Sequence, residues 1–196
     1  MEKLLASVKK QIDQLLNDRD HVIVAIDGNC TAGKTTLAAA LEKEYDCNIF
    51  HMDDFFLRPE QRTAERYAQP GGNVDYERFQ EEVLLPLRQN AAFAYRPFAC
   101  STFSLSAPVE VRPKKLTIIE GTYSMHPYFG EVYDYKVFLS IDPQLQRSRI
   151  LCRPQWLHER FFTDWIPMEK RYFDFFRIPL QADLLLDTSG DKSVNA

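Results

Sequence analysis

Strands alternating with helices predict an α/β fold for this chain: a three-layer α/β/α arrangement around a five-stranded parallel core sheet. Two observations carry that prediction. Five short apolar runs, at 21–27, 48–52, 115–119, 135–141 and 183–187, are separated by helix-forming or turn-rich segments. The first run ends in Gly28-Asn29-Cys30-Thr31-Ala32-Gly33-Lys34-Thr35, which fits G-x-x-x-x-G-K-[ST], a phosphate-binding loop set between a strand and a helix.

Residues 2–18 read as an amphipathic helix, because Leu4, Leu5, Val8, Ile12, Leu15 and Leu16 share one face. Its expected role is packing ahead of the first strand. In the loop that follows that strand, glycines let the backbone wrap closely around a polyphosphate. Successive N–H groups and the N-terminus of a helix running from Thr36 to about Tyr45 then face the anion. Lys34 can reach the outer phosphates, and the Thr35 hydroxyl can hold Mg²⁺. The second strand ends at Asp53-Asp54-Phe55-Phe56. Pro59, Pro70, Gly71 and Gly72 make 58–74 a loop or short-helix region, and Asp75 is placed to cap a helix through about Leu87. Residues 93–112 suggest a small antiparallel excursion. Segment 57–112 as a whole is therefore expected to be an acceptor-binding insertion. The third core strand ends at Glu120-Gly121. After the fourth, Asp142-Pro143 opens a helix to about Arg153. Pro154 breaks it, a last helix covers 157–176 with a kink at Pro167, and a polar tail, 188–196, follows the fifth strand.

With 196 residues, 45% of them apolar, the chain can bury one sizeable core, so a single domain over 1–196 is expected. A net charge of −4 argues against a primarily electrostatic binder of nucleic acid or membrane surfaces. Cys30, Cys47, Cys100 and Cys152 are far apart and form no C-x-x-C pair, which points to a reduced, cytoplasmic protein. No run approaches the length of a membrane span or a signal peptide. A homo-oligomer is compatible with all of this.

Ligands of parallel sheets bind beyond the carboxyl ends of the strands. That rule gathers Gly28–Thr35, Asp53-Asp54 and Glu120-Gly121 on one rim. Phosphoryl transfer needs a clamp on the phosphates, a bridging metal and an aligned hydroxyl. Asp53 is the expected proton acceptor for that hydroxyl. Glu120 could hold Mg²⁺ through water or touch the acceptor. His51 reads as a core or edge histidine, while His126 and His158 are loop candidates without a visible partner. Arg147, Arg149, Arg153 and Arg160 flank the break at Pro154, which suggests a small lid at about 153–162 carrying charge-stabilising arginines.

With these residues in view, the chain resembles the uridine kinase / phosphoribulokinase-like P-loop kinases, relatives of which include uridine–cytidine and nicotinamide riboside kinases. The resemblance runs from about Val22 to Asp187 and rests on five pieces. These are Gly28–Thr35; His51-Met52-Asp53-Asp54-Phe55-Phe56; Ile118-Ile119-Glu120-Gly121; Arg149-Ile150-Leu151-Cys152-Arg153; and Trp165-Ile166-Pro167-Met168-Glu169-Lys170-Arg171-Tyr172. It implies a P-loop NTPase fold and an ATP- and Mg²⁺-dependent kinase acting on a hydroxyl of a small metabolite, with a nucleoside the first candidate. Gly28, Asn29, Cys30, Thr31, Ala32, Gly33, Lys34, Thr35 and Thr36 would bind ATP. Lys34, Asp53, Arg149 and Arg153 would be catalytic, and Thr35, Asp53 and Glu120 would lie at the metal. Asp53, Glu120, Tyr67, Tyr95 and Tyr123 would meet the acceptor, although Tyr67, Tyr95, Phe98 and Tyr123 could equally be core. The chain departs from uridine kinases at the acceptor: Ala68 stands where their Asp falls, and Tyr95-Arg96-Pro97-Phe98-Ala99-Cys100-Ser101-Thr102 lacks their Asp and His. A kinase for nicotinamide riboside, pantothenate or a sugar, or a regulatory ATPase acting on a protein partner, remain the alternatives.

Overall fold

A computed structural model describes residues 2–190. It begins with helix α1 (Glu2–Asp18), strand β1 (Val22–Gly28), helix α2 (Lys34–Glu42) and strand β2 (Cys47–His51). The insertion holds short helices α3 (Ala64–Ala68), α4 (Tyr76–Phe79) and α5 (Leu85–Arg88). Strands β3 (Phe93–Tyr95), β4 (Phe98–Ala99), β5 (Ser104–Leu105) and β6 (Val109–Val111) complete it. The chain then returns through β7 (Leu116–Glu120), β8 (Tyr135–Ser140), α6 (Pro143–Leu151), α7 (Gln155–Arg160), α8 (Ile166–Phe176) and β9 (Leu184–Asp187).

The core sheet has the order β2-β7-β1-β8-β9, and every neighbouring pair is parallel. Strand β1 is central, and the chain leaves it toward one side of the sheet before crossing to the other. That reversal opens a crevice above the β1 end, where the predicted phosphate loop lies. Parallel strands are covered on both faces, which explains why they read as continuous apolar runs. Ala25, Phe50, Ile119 and Phe138 turn to one face, against Phe55 just after β2, Phe79 of the insertion and Tyr172 and Phe173 of α8. Val24, Ile26, Ile118, Val137 and Leu139 turn to the other, against Val8 and Ile12 of α1 and Leu37, Ala38 and Leu41 of α2. The amphipathic first helix is thus a packing helix; each fully buried aliphatic side chain on it contributes about 1.5–3 kcal/mol.

Both predicted caps are present. The Asp75 carboxylate accepts from Arg78 N at 3.2 Å, and Asp142 accepts from Gln144 N and Leu145 N at 2.9 and 3.1 Å. The excursion at 93–112 consists of two antiparallel pairs, β3–β6 and β4–β5. Two helices differ from expectation for one shared reason. The helix after Asp75 is interrupted by a π turn at Gln80–Leu84, and the last helix by a π turn at Phe161–Trp165. Pro86 and Pro167 each follow such a turn by two residues. A proline lacks the N–H that would close the α-helical ladder, and the slip to a wider turn accommodates the missing bond. The last helical stretch also begins at Gln155, directly after Pro154. The four cysteines are free, and among the described residues no helix is long and apolar enough to cross a membrane. Residues 191–196 of the polar tail lie outside the described residues.

His126, one of the two loop histidines without a visible partner in sequence, is a packing residue. Its Nδ1 accepts from Tyr128 N at 3.2 Å, and its ring stacks on Tyr76 at 4.4 Å. Gly71, at φ +72°, makes room for the ring: a Cβ there would lie 2.6 Å from the His126 ring. Burial pushes the imidazole down to about 4. An unfolded histidine titrates near about 6.5. Between those values the unfolded chain binds a proton that the folded chain refuses, so stability falls as pH drops through the window, by up to about 3 kcal/mol. His126→Asn keeps a capping acceptor and removes the titration. Urea midpoints measured from pH 7 to pH 4 should therefore decline less steeply for this variant than for the parent; equal slopes would show that the buried ring charges freely.

Candidate active site

The phosphate loop is shaped by contacts that leave no room for side chains at its start. Gly28, at φ +137°, lies so close to β8 that a Cβ would sit 2.1 Å from the Leu139 carbonyl oxygen. Asn29 N donates to that same oxygen at 3.1 Å. Gly33, at φ +96°, turns the chain into α2, whose first N–H groups have no carbonyl partner inside the helix. The Lys34 ammonium is buried and folds back over the loop. It donates to the carbonyls of Gly28 and Asn29, both at 2.8 Å, and to Thr122 Oγ1 at 3.1 Å. Thr35 and Thr36 face solvent.

Three side chains from other elements hold this loop from behind. Asp27, fully buried at the end of β1, accepts from Gly28 N (2.7 Å), Tyr123 N (3.2 Å), Met125 N (2.9 Å) and the Tyr172 hydroxyl (2.8 Å). Burial raises its carboxyl to about 6, against the opposing effect of the Met125 and Gly28 N–H groups and of Lys34. Glu169 of α8, also buried, accepts from Cys30 N at 2.9 Å and from the Gln146 amide at 3.0 Å, with the Asn29 amide at 3.4 Å. Arg149 of α6 donates to the Thr31 carbonyl at 2.8 Å. Cys30 is packed into this arrangement: burial first, then the Glu169 charge, keeps its thiol protonated, pushed up to about 12. Sequence reasoning missed Asp27, Glu169 and Gln146. An acid closing an apolar strand just before the loop was a readable signal for Asp27; Gln146 offered none.

On the rim, Glu120 ends β7 and is buried. Its Oε1 accepts from Thr35 Oγ1 at 3.1 Å and lies 2.6 Å from His51 Nδ1. His51 is therefore more than a core or edge histidine: it stands opposite Glu120 in the β2–β7 register. The hydrogen bond to Glu120 raises its pKa. Asp53 sits in the turn Met52–Phe55 immediately after β2. Gly121, at φ +132°, lets that turn approach, since a Cβ there would meet Met52 Cβ at 2.8 Å. Asp53 reaches solvent at the mouth of the cleft. The crowding walls raise its carboxyl above the usual range, Lys34 opposes the shift, and Glu120 adds to it. Among the described residues, no group of three or more His, Cys, Asp or Glu could hold a metal alone. Mg²⁺ asks for less, since it keeps waters and takes one or two carboxylates beside phosphate oxygens.

The remaining candidates separate by location. Arg153 is exposed after α6, and its carbonyl lies 2.8 Å from His158 Nε2. Arg147 stacks over Phe162 at 4.7 Å and Arg160 over Trp165 at 5.1 Å. Tyr67 is half-buried on α3. Tyr95 and Tyr123 are core side chains: Tyr95 packs on Phe50 and Phe55, and Tyr123 on Tyr172. Both are buried among aromatic neighbours.

No family model matches the chain, and the search of curated proteins found no relative. Solved structures do match. A possible uridine kinase from Bacillus stearothermophilus superposes with a TM-score of 0.64 at 21% identity, covering 92% of this chain and 100% of that one. A provisionally assigned fructose transport system kinase from Silicibacter sp. TM1040 gives 0.68 at 23% identity, covering 93% and 98%. The chain has the fold of the P-loop kinases. Within that kinase fold, a D-glycerate 3-kinase from Cryptococcus neoformans is more distant, at 0.55 and 14% identity, covering 90% and 87%.

Asp27 supplies a test of how the kinase fold holds its loop. A carboxyl raised to about 6 in the folded state loses stability as pH rises from about 4 to about 6, by about 3 kcal/mol in all. Asp27→Asn removes that loss but sets an amide against inward-pointing donors. It should unfold at lower urea than the parent at pH 5, and its midpoint should gain on the parent's as pH rises from 4 to 6, because His126 acts in the opposite direction over that window and is common to both. A constant difference between the two midpoints would assign the titration to another group.

Proposed function

We propose that this chain is an ATP- and Mg²⁺-dependent kinase that transfers the γ-phosphoryl group to a hydroxyl of a small metabolite. The observation that carries the reading is the meeting of Thr35, Glu120 and Asp53 above the phosphate loop. The donor set fits a polyphosphate. The first N–H groups of α2 lack helical carbonyl partners, the Lys34 ammonium lies over the same loop, and the Thr31 hydroxyl is buried without a partner. Thr35 and Glu120 would hold Mg²⁺, which when bound neutralises charge on the phosphates.

Lys34 exchanges its carbonyl partners for phosphate oxygens. Asp53 accepts the proton of the acceptor hydroxyl; a raised pKa makes its ionised form the better base. The hydroxyl oxygen bonds to the γ-phosphorus, the bond from that phosphorus to the bridging oxygen breaks, and ADP leaves with the electron pair. Arg149 and Arg153 stabilise the charge in transfer, and residues 153–162 shield the reaction from water. The first acceptor class to examine is a nucleoside or other ribosyl compound, on the strength of the motif resemblance.

Lys34→Ala should lower kcat by about 100- to 1000-fold, the scale expected for losing one charge-stabilising donor. Turnover kept at the parent level would remove the loop from the mechanism. Asp53→Asn should lower kcat by about 100- to 10000-fold with the KM for ATP within a few-fold. Parallel loss of ATP affinity and rate would make Asp53 a structural or metal residue.

A further inference from the structure

The insertion after β2 brings forward one arginine that the kinase mechanism does not use. The Arg62 guanidinium lies 5.4 Å from the Phe98 ring centroid and 4.9 Å from that of Phe103. Its Nε donates to the Leu57 carbonyl at 2.9 Å. These contacts fix the group while leaving its two terminal nitrogens free, and among the described residues no carboxylate pairs with it. Its neighbours differ. Arg58 meets Glu60 and Asp75, Arg66 meets Glu77, and Arg78 meets Asp75 and Glu82. A guanidinium held in place with an open fork is preorganised for a planar or tetrahedral oxyanion.

Its position relates it to the acceptor side of the site. Strand β4 packs against the Met52–Phe55 turn that carries Asp53, and β4 includes Phe98, the ring beneath Arg62. Cys100 follows β4 directly. Its thiol is pushed up by burial and feels the charges of Arg62, Asp53 and Arg160 together. The turn that carries the base and the ring beneath Arg62 are therefore joined through β4.

We infer that the acceptor carries a carboxylate or phosphate group besides its reacting hydroxyl, and that Arg62 is the residue that selects for that anion. The inference rests on the kinase reading of the same site. It restricts that reading: a neutral nucleoside or sugar is a poor acceptor, and an anionic counterpart is a good one.

The test is ADP release with matched acceptor pairs: uridine and uridine 3′-monophosphate, ribose and ribose 5-phosphate, glycerol and glycerate. The anionic member of at least one pair should exceed its neutral partner in kcat/KM by about 10- to 100-fold, the scale of one charge-assisted contact. The pair that responds tells phosphate from carboxylate. Arg62→Ala should raise the KM for that acceptor by a similar factor while leaving the KM for ATP within twofold, and Arg62→Lys should recover part of it. A neutral acceptor used as well as its anionic partner overturns the inference and leaves the kinase reading standing. So does an Arg62→Ala variant that loses kcat equally with every acceptor. No transfer to any member, with ATP bound, overturns both.

Discussion

A buried carboxylate organises this molecule. Asp27 closes the central strand with no access to water, and four donors converge on it from three parts of the chain. Burying a charge is tolerable only when it is thoroughly hydrogen-bonded. That requirement fixes the start of the phosphate loop, the segment after β7 and the middle of α8 relative to one another. Each then positions something further. The segment after β7 carries Thr122, which receives Lys34; α8 carries Glu169, which receives the Cys30 N–H.

The rim above is acidic before any ligand arrives, and its acids are treated differently. Glu120 on the rim, like Glu169 behind the loop, is buried and satisfied by named donors. Asp53 is the one left facing the cleft, with its pKa raised by its surroundings. Satisfied carboxylates set geometry, and the open one is available for chemistry. A similar contrast holds along the first part of the insertion, where Arg58, Arg66 and Arg78 are matched to carboxylates and Arg62, fixed by a carbonyl and two rings, is not.

What the sequence made legible was local. Strand periodicity, the glycine spacing of the loop and the caps at Asp75 and Asp142 depend on residues a few positions apart, and all reappear in the structure. Pro154 and Pro167 read as a break and a kink, while the wide turn that takes up the missing N–H two residues before Pro167 leaves no mark of its own in the sequence. Contacts across long separations were hidden. Glu169 and Cys30 are 139 positions apart, and Glu120 and His51 are 69 apart. Tyr95 and Tyr123 show the converse limit, since an aromatic at a pocket edge and one in the core look alike until the neighbouring walls are placed.

The loop's attachment to two helices has a mechanical consequence. Arg149 lies on the helix before α7 and Glu169 on the helix after it, and both are bonded to the loop backbone. They act as two fixed posts with the stretch 152–165 slung between them. Motion confined to that span, which includes the break at Pro154 and the wide turn at Phe161–Trp165, leaves the backbone of the phosphate loop in place. The anchoring of the loop to α6 and α8 thus rests on residues outside 152–165.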